Sequence, residues 1–376
     1  MKIEINPFIT SGYAGPEYFC DRVQETQDII DLLTNGNNLA LISPRRLGKT
    51  DLLRHCFSQR QIQEHYYTFI IDIYSTNSLA EMADRMGKTI LESLKPKGRR
   101  VWESFLNVMS SIKSSITFDS FGMPSWSVGI GDIHNPSATL DEIFRYLQQA
   151  DKPCLVAIDE FQQILKYGDN QVEAAMRTHI QYCSNAHFVF SGSQRHLMGS
   201  IFTSPARPFY QSVTIINLYP IALDKYSEFC HKQFALGNKS LDDDLIEQIY
   251  NKFEGVTFYL QKVMNILYMR TPVNGNCSID ELQPAIDYII DFTAGTYQDL
   301  MYQLPEKQHI VLRAISQDCK ANQIKSGAFV KKHALVSASS VNSAVRALMD
   351  KDLVTQDQGY YQVYDKFLAI WLNRQQ

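Results

Sequence analysis

The stretch Asn38-Leu-Ala-Leu-Ile-Ser-Pro-Arg-Arg-Leu-Gly-Lys-Thr-Asp-Leu-Leu53 leaves few folds open. Leu39 to Ile42 is an apolar run that reads as a buried strand, and Asp51 to Gln59 reads as the start of a helix. Between them, Gly48-Lys49-Thr50 matches the end of a phosphate-binding loop. The chemistry needs that order. Backbone N–H groups and a helix N-terminus attract phosphate, Lys49 bridges the outer phosphates, and the Thr50 hydroxyl ligates Mg²⁺. Ser43 stands where the usual pattern has its first glycine, so the strict motif is broken there. The candidate nucleotide-binding residues are Ser43, Pro44, Arg45, Arg46, Leu47, Gly48, Lys49, Thr50 and Asp51. The alternative is a plain strand–turn–helix with a surface lysine.

About a hundred residues on, Cys154-Leu-Val-Ala-Ile158 is a second apolar strand, and it ends in Asp159-Glu160. Two acids there are costly unless a cation or a water network waits for them. In the nucleotide reading, Asp159 joins Thr50 in holding Mg²⁺, through water, and Glu160 polarises the attacking water. In the other reading both acids cap the helix that follows, Phe161 to Lys166. A phosphate loop followed at this distance by strand-then-Asp-Glu is more specific than either part, and it predicts ATP binding.

With 376 residues, the chain has room for two or three domains. An apolar fraction of 45% and a charged fraction of 20% are those of a soluble globular protein. No apolar run approaches the roughly 18 residues of a membrane span, and the start of the chain lacks the apolar core of a signal peptide. A cytoplasmic location is expected. The seven cysteines are scattered singly with no Cys-x-x-Cys pair, which argues for reduced thiols and against zinc or a disulfide framework. The net charge of −4 disfavours nucleic-acid binding by the whole surface. Residues 306–376, however, carry 10 Lys/Arg against 6 Asp/Glu, a hint of a nucleic-acid module.

Taken in order, a helix is expected from Glu25 to Leu33 and a strand from Tyr66 to Tyr74. Ser78 caps a helix to about Leu94. From Pro96 to Pro136 the pattern loosens into an insertion with a short hairpin over Ser114–Asp119 and Trp126–Ile130. Helices follow at Ala138–Gln149 and Val172–Cys183. The strand His187–Phe190 ends in Ser191-Gly-Ser193, and a fifth strand covers Ser212–Leu218. Apolar strands alternating with helices predict a parallel α/β sheet with helices on both faces. Its polar clusters fall on one rim, where such sheets bind ligands. From Ala222 to Asp291 the pattern is helical. Three helices (Pro305–Gln317, Gly327–Ala334, Ser340–Lys351) and a hairpin turning at Asp357–Gly359 then make a winged helix. The expected domains are a core at 1–220, an all-α domain at 221–298 and the winged helix at 299–376.

These residues resemble the prokaryotic archaeal-type ATPases, a branch of the AAA-like and signal-transduction P-loop NTPases. Phe19-Cys-Asp-Arg22-Val-Gln-Glu25 is similar to the family's opening Phe-x-Gly-Arg-x-x-Glu box, with Asp21 in place of glycine. Ser43-Pro-Arg-Arg-Leu-Gly-Lys-Thr50 resembles its phosphate loop, and Leu155-Val-Ala-Ile-Asp-Glu160-Phe-Gln its Walker B strand. Phe190-Ser-Gly-Ser193 with Met198 resembles its sensor strand. Leu218-Tyr-Pro220 and Gly255-x-x-x-Tyr259-Leu260 resemble the entry and middle of its helical lid, and Val363-Tyr-Asp365-Lys-Phe367 with Trp371 the end of its winged helix. The resemblance implies a P-loop ATPase core, a lid and a winged-helix output, with ATP and Mg²⁺ as cofactors. It implies that Ser191 or Ser193 senses the γ-phosphate and adds Tyr259 to the nucleotide site. The family's usual arginine after the sensor strand is missing at Tyr210-Gln-Ser212, and Arg207 lies nearby.

The function expected is a Mg-ATP-dependent switch that turns ATP into ADP and phosphate. Its alternative is a non-hydrolysing, nucleotide-gated module that binds DNA or protein. A ring-forming motor would need a trans-acting arginine, and none is evident. Lys325, Lys331, Lys332 and Arg346 are the candidate nucleic-acid face, with protein docking as the other use of the winged helix. His55 reads as a packed or surface histidine, and His179, His187 and His196 lack metal spacing.

Overall fold

The computed structural model describes residues 5–112, 115–168, 171–357 and 359–375. Ser114, expected to open the hairpin, and position 358 in the expected wing turn lie outside them, as do residues 1–4. The chain divides into two compact units: Ser11–Tyr226 with Val256–Phe258, and Met1–Thr10 with Ser227–Gly255 and Tyr259–Gln376.

The first unit runs α1 (Val23–Thr34), β1 (Leu39–Ile42), α2 (Lys49–Ser58), α3 (Arg60–His65), β2 (Tyr67–Asp72), α4 (Leu79–Leu94) and α5 (Arg99–Val108). It continues through β3 (Ile116–Phe118), β4 (Pro124–Trp126), α6 (Pro136–Gln149), β5 (Cys154–Asp159), α7 (Val172–Tyr182), β6 (Ala186–Gly192), α8 (Arg195–Thr203), β7 (Thr214–Asn217) and the start of α9 (Leu223–Leu236). Five strands form one sheet in the order β2-β5-β6-β1-β7, with every pair parallel. Successive side chains point to opposite faces, so strands covered on both sides read as unbroken apolar runs. Ala40, Ile42, Phe69, Val156, Ile158, Phe188 and Phe190 pack with α4 to α8. Leu39, Leu41, Leu155, Ala157 and Val189 pack with α1, α2 and α3. Ser78 caps α4 as expected, its hydroxyl accepting the Glu81 N–H at 3.2 Å.

Two features differ from the sequence expectation. The loosened stretch after Pro96 holds a helix, α5, and its Trp102, Phe105 and Leu106 enter the same core as the sheet. The second hairpin strand lies at Pro124–Trp126, earlier than expected, and Trp126 sets this register. Its indole donates to Asp84 at 2.8 Å and lies against Gly87 of α4, where a Cβ would meet the ring at 2.2 Å. The buried Glu142 carboxylate fastens the intervening turn by accepting from the Ser110 and Ser111 hydroxyls.

In the second unit, β8 (Ser240–Leu241), α10 (Asp243–Lys252), α11 (Thr257–Arg270), β9 (Asn276–Cys277) and α12 (Leu282–Tyr302) follow α9. The two short strands pair in parallel, a ladder too brief to show in the sequence. Phe8 is fully buried among Phe229, Phe234 and Tyr268. Helix α12 is 21 residues long and passes unbroken through position 298. The C-terminal part comprises α13 (Glu306–Gln317), α14 (Gly327–Lys332), α15 (Ala338–Asp350), the hairpin β10 (Val354–Asp357) and β11 (Tyr360–Val363), and α16 (Lys366–Arg374). Ala321 adds an antiparallel bridge to Tyr361, completing the wing. Glu254, just past α10, takes Lys320 on one carboxylate oxygen and Lys366 on the other, each at 2.5 Å. Six of the seven cysteines are buried, Cys319 alone is exposed, and none is in a disulfide. Among the described residues no helix is long and apolar enough to cross a membrane.

Candidate nucleotide site

The phosphate loop begins where β1 stops. Ile42 is level with Gly192 of β6 and Asn217 of β7, so the loop leaves the sheet beside the end of β6. Ser43 is fully buried. Its N–H reaches the Gly192 carbonyl at 3.4 Å, and its hydroxyl donates to the Pro44 carbonyl at 2.8 Å. The residue in place of the first glycine is thus folded into the loop itself. The chain then turns through two left-handed residues, Arg46 (φ 70) and Gly48 (φ 83). That conformation costs a non-glycine residue about 1 kcal/mol or more. Arg46 is held there by Phe258, whose N–H donates to the Arg46 carbonyl at 3.1 Å and whose ring lies 4.6 Å from its guanidinium. Leu47 is buried beneath the loop. Helix α2 starts at Lys49 with no side-chain cap, so its first N–H groups are oriented for an anion.

The carboxylates lie beside this turn. Asp159 Oδ2 accepts from Thr50 Oγ1 at 2.5 Å, while Oδ1 accepts from Ser191 Oγ at 2.5 Å and from the Glu160 N–H at 3.0 Å. Glu160 is left-handed (φ 57), and its side chain makes no helix-cap hydrogen bond. Instead Glu160 Oε2 accepts from Ser193 Oγ at 2.7 Å and from Gln162 Nε2 at 2.5 Å. Ser193 Oγ accepts from Arg45 Nε at 3.1 Å, and the Arg45 guanidinium lies 5.7 Å from the Tyr74 ring. Lys49 is buried. Burial lowers its pKa, and Arg45 adds to that, while Glu160 and Asp159 pull it back up. Burial also raises the pKa of Asp51, against the pull of Arg54 and with a push from Asp159.

The structure therefore brings together residues 43–51, Asp159, Glu160, Ser191 and Ser193. Tyr259 is placed differently. It belongs to the second unit, where its hydroxyl donates to the Tyr364 carbonyl at 3.0 Å and accepts the Lys366 N–H at 3.1 Å. Its ring packs against Phe253 and Phe367. Arg207 pairs with buried Glu173 at 3.0 Å. His55 stacks on Phe19 at 4.2 Å and meets the Tyr13 hydroxyl at 2.9 Å, as a packed histidine does. Two groups went unforeseen. Gln162 reaches Glu160, although in the sequence it is one of two successive glutamines with nothing to single it out. Asp21 (φ 51), standing where the resembled box has glycine, and Arg22 (φ 63) take the left-handed conformation, and Arg22 donates to Glu25 at 2.6 Å and to the Tyr219 carbonyl at 2.7 Å.

The donor set also bears on the metal. Among the described residues no three or more His, Cys, Asp or Glu are grouped to hold an ion. Thr50 and Asp159 offer an oxygen pair already in contact. Mg²⁺ suits such a pair, because it takes one or two protein oxygens and completes its shell with phosphates and water. The residues present fit Mg²⁺ carried by a nucleotide.

The family described as "Probable winged helix domain" matches residues 295–374. Comparison with curated proteins returns no match. Among solved structures, the chain is similar to the Walker-type ATPase PABY2304 of Pyrococcus abyssi, with 17% identity, coverage of 98% of this chain and 99% of that one, and a TM-score of 0.65. It is similar to the ORC2 protein of Aeropyrum pernix in its ADPNP–ADP complexes at 14% identity, covering 99% and 97% of the two chains, with a TM-score of 0.60. The Aeropyrum pernix ORC1 protein in complex with DNA is 12% identical over 96% of this chain and 94% of that one, with a TM-score of 0.52. The chain has the fold of the archaeal-type P-loop ATPases, a parallel-sheet core followed by helices and a C-terminal winged helix.

Proposed function

We propose that this protein binds Mg-ATP and hydrolyses it as a nucleotide-dependent switch, with an ATPase core to about residue 220, a helical lid at 221–298 and a winged-helix output at 299–376, residues 1–10 going with the second unit. One observation carries the reading: buried Lys49 at an uncapped helix start, with Thr50 in contact with Asp159 and Glu160 beside them. Burial costs the Lys49 ammonium more than Glu160 and Asp159 return, and a bound polyanion would offset the remainder. Lys49 binds the β- and γ-phosphates, and Thr50 and Asp159 hold the Mg²⁺, which supplies charge neutralisation when bound. Glu160 takes the proton of the attacking water, and Ser191 and Ser193 relate the acids to the γ-phosphate. Seven cysteines outside any disulfide fit a reducing, cytoplasmic setting.

For the output, DNA is the proposed partner. Lys325, Lys331 and Arg346 are exposed and form no ion pair among the described residues, while Lys332 already binds Asp318 at 2.6 Å. The support is the solved complex of the ORC1 protein with DNA and the positive local balance.

Calorimetric titration with ATP and ADP, with and without Mg²⁺, tests the site. Binding strengthened by Mg²⁺ is expected. Glu160→Gln should keep ATP bound and cut turnover by about 100-fold or more, since an amide cannot take the proton. A parent protein that binds no nucleotide ends the reading. Turnover unchanged in Glu160→Gln makes Glu160 a structural residue.

A further inference from the structure

The candidate base Glu160 needs one carboxylate oxygen facing the water and the other held still, and its left-handed backbone (φ 57) leaves that to neighbouring side chains. Gln162 Nε2 at 2.5 Å and Ser193 Oγ at 2.7 Å both donate to the same oxygen, Oε2. Glu160 Oε1 takes no hydrogen bond among the described residues. Gln162 is 3% exposed, and its own amide oxygen is buried without a partner. An apolar residue would fill that place without the penalty of a half-satisfied amide. The amide orientation follows from chemistry, because the flipped form would set its oxygen against the carboxylate. The surroundings are shaped around this side chain. A Cβ on Gly192 would meet Gln162 Oε1 and Met198 Sδ at 2.4 Å each.

We propose, resting on the ATPase reading above, that Gln162 is a positioning residue for water activation. With Ser193 it pins Oε2 and leaves Oε1 as the base. The water oxygen bonds to the γ-phosphorus and the bond to the β–γ bridging oxygen breaks. That electron pair leaves with ADP, and one water proton passes to Oε1. Ser193 serves two partners, giving its proton to Glu160 and accepting from Arg45.

The test uses the full chain as parent, Gln162→Ala, Gln162→Met, Glu160→Gln and the double variant Glu160→Gln/Gln162→Ala. ATP affinity is read by calorimetry, turnover by phosphate release and folding by thermal melting. Gln162→Ala and Gln162→Met should lower kcat by about 10-fold or more, with ATP affinity within about 3-fold of the parent. In the Glu160→Gln background, Gln162→Ala should lower turnover no further, because it acts through Glu160. Parental kcat in a folded Gln162→Met variant overturns the proposal, and so does a full additive loss in the double variant. Affinity falling in step with kcat, or both single variants failing to fold, marks Gln162 as structural and likewise overturns it. A parent that binds ATP but never turns it over brings down the ATPase reading itself, and the positioning role with it.

Discussion

Lys49 shows how function and stability diverge at one residue. Burial outweighs the attraction of Asp159 and Glu160, so its pKa in the fold is lowered from the usual 10.5. The protonated form is therefore penalised by folding at every pH below that lowered value, and the penalty fades as pH rises through it. Lys49→Met removes the penalty together with the phosphate contact. At pH 7 we expect ATP affinity to fall about 100-fold or more, the price of losing a charge-assisted phosphate contact, with a melting temperature no lower than the parent's. A folded Lys49→Met variant with parental affinity would remove Lys49 from the site. Most of this site was legible in the sequence, because Gly48-Lys49-Thr50 and Asp159-Glu160 are short local patterns. Gln162 was not, since only the left-handed turn at Glu160 brings its amide back onto the carboxylate.

Among the elements, β1, β5 and β6 were legible because burial on both faces writes them as apolar runs. Helix α5 escaped notice. It follows Gly98 (φ 111) without a capping side chain and places only three buried residues among charged ones. The end of α10 offers a test by pH. Burial works against ionisation of Glu254, but hydrogen bonds and charge from Lys320 and Lys366 prevail and hold its pKa below the usual 4.5. A depressed carboxylate pKa adds stability above the unfolded value and loses it as pH falls through the folded one. Glu254→Gln should therefore melt a few degrees below the parent at pH 7, modestly because these pairs remain partly open to water. The gap should narrow as pH falls below the usual 4.5 and close only below the lowered folded value, and a gap independent of pH would show that the lysines do not act through charge. On the winged helix, α14 and α15 carry the proposed DNA contacts. Duplex binding by the full chain should weaken steeply with salt as counterions return. Lys331→Ala/Arg346→Ala should weaken it further at low salt, and binding indifferent to both changes would leave protein docking as the output.

For the molecule as a whole, the order of motifs along the chain was readable and the division of its mass was not. Nothing local in residues 5–10 says that they join the second unit, where Phe8 is buried among rings more than two hundred residues away in sequence. A ligand that binds only the folded state raises stability by mass action, about 2.7 kcal/mol at a hundred times its dissociation constant. Mg-ATP should accordingly raise the melting temperature by several degrees and ATP with a chelator by less. Identical shifts with and without Mg²⁺ would argue that Thr50 and Asp159 do not share a metal.

The cysteines carry a practical consequence. Burial pushes the Cys20 and Cys56 thiols up to about 12, and four more are equally enclosed, so Cys319 stands apart just past α13. A maleimide dye should therefore enter the native protein at that one position, without any engineered residue. The winged helix comes with its own attachment point for a fluorophore, and its response to nucleotide can be followed by spectroscopy on the unaltered chain.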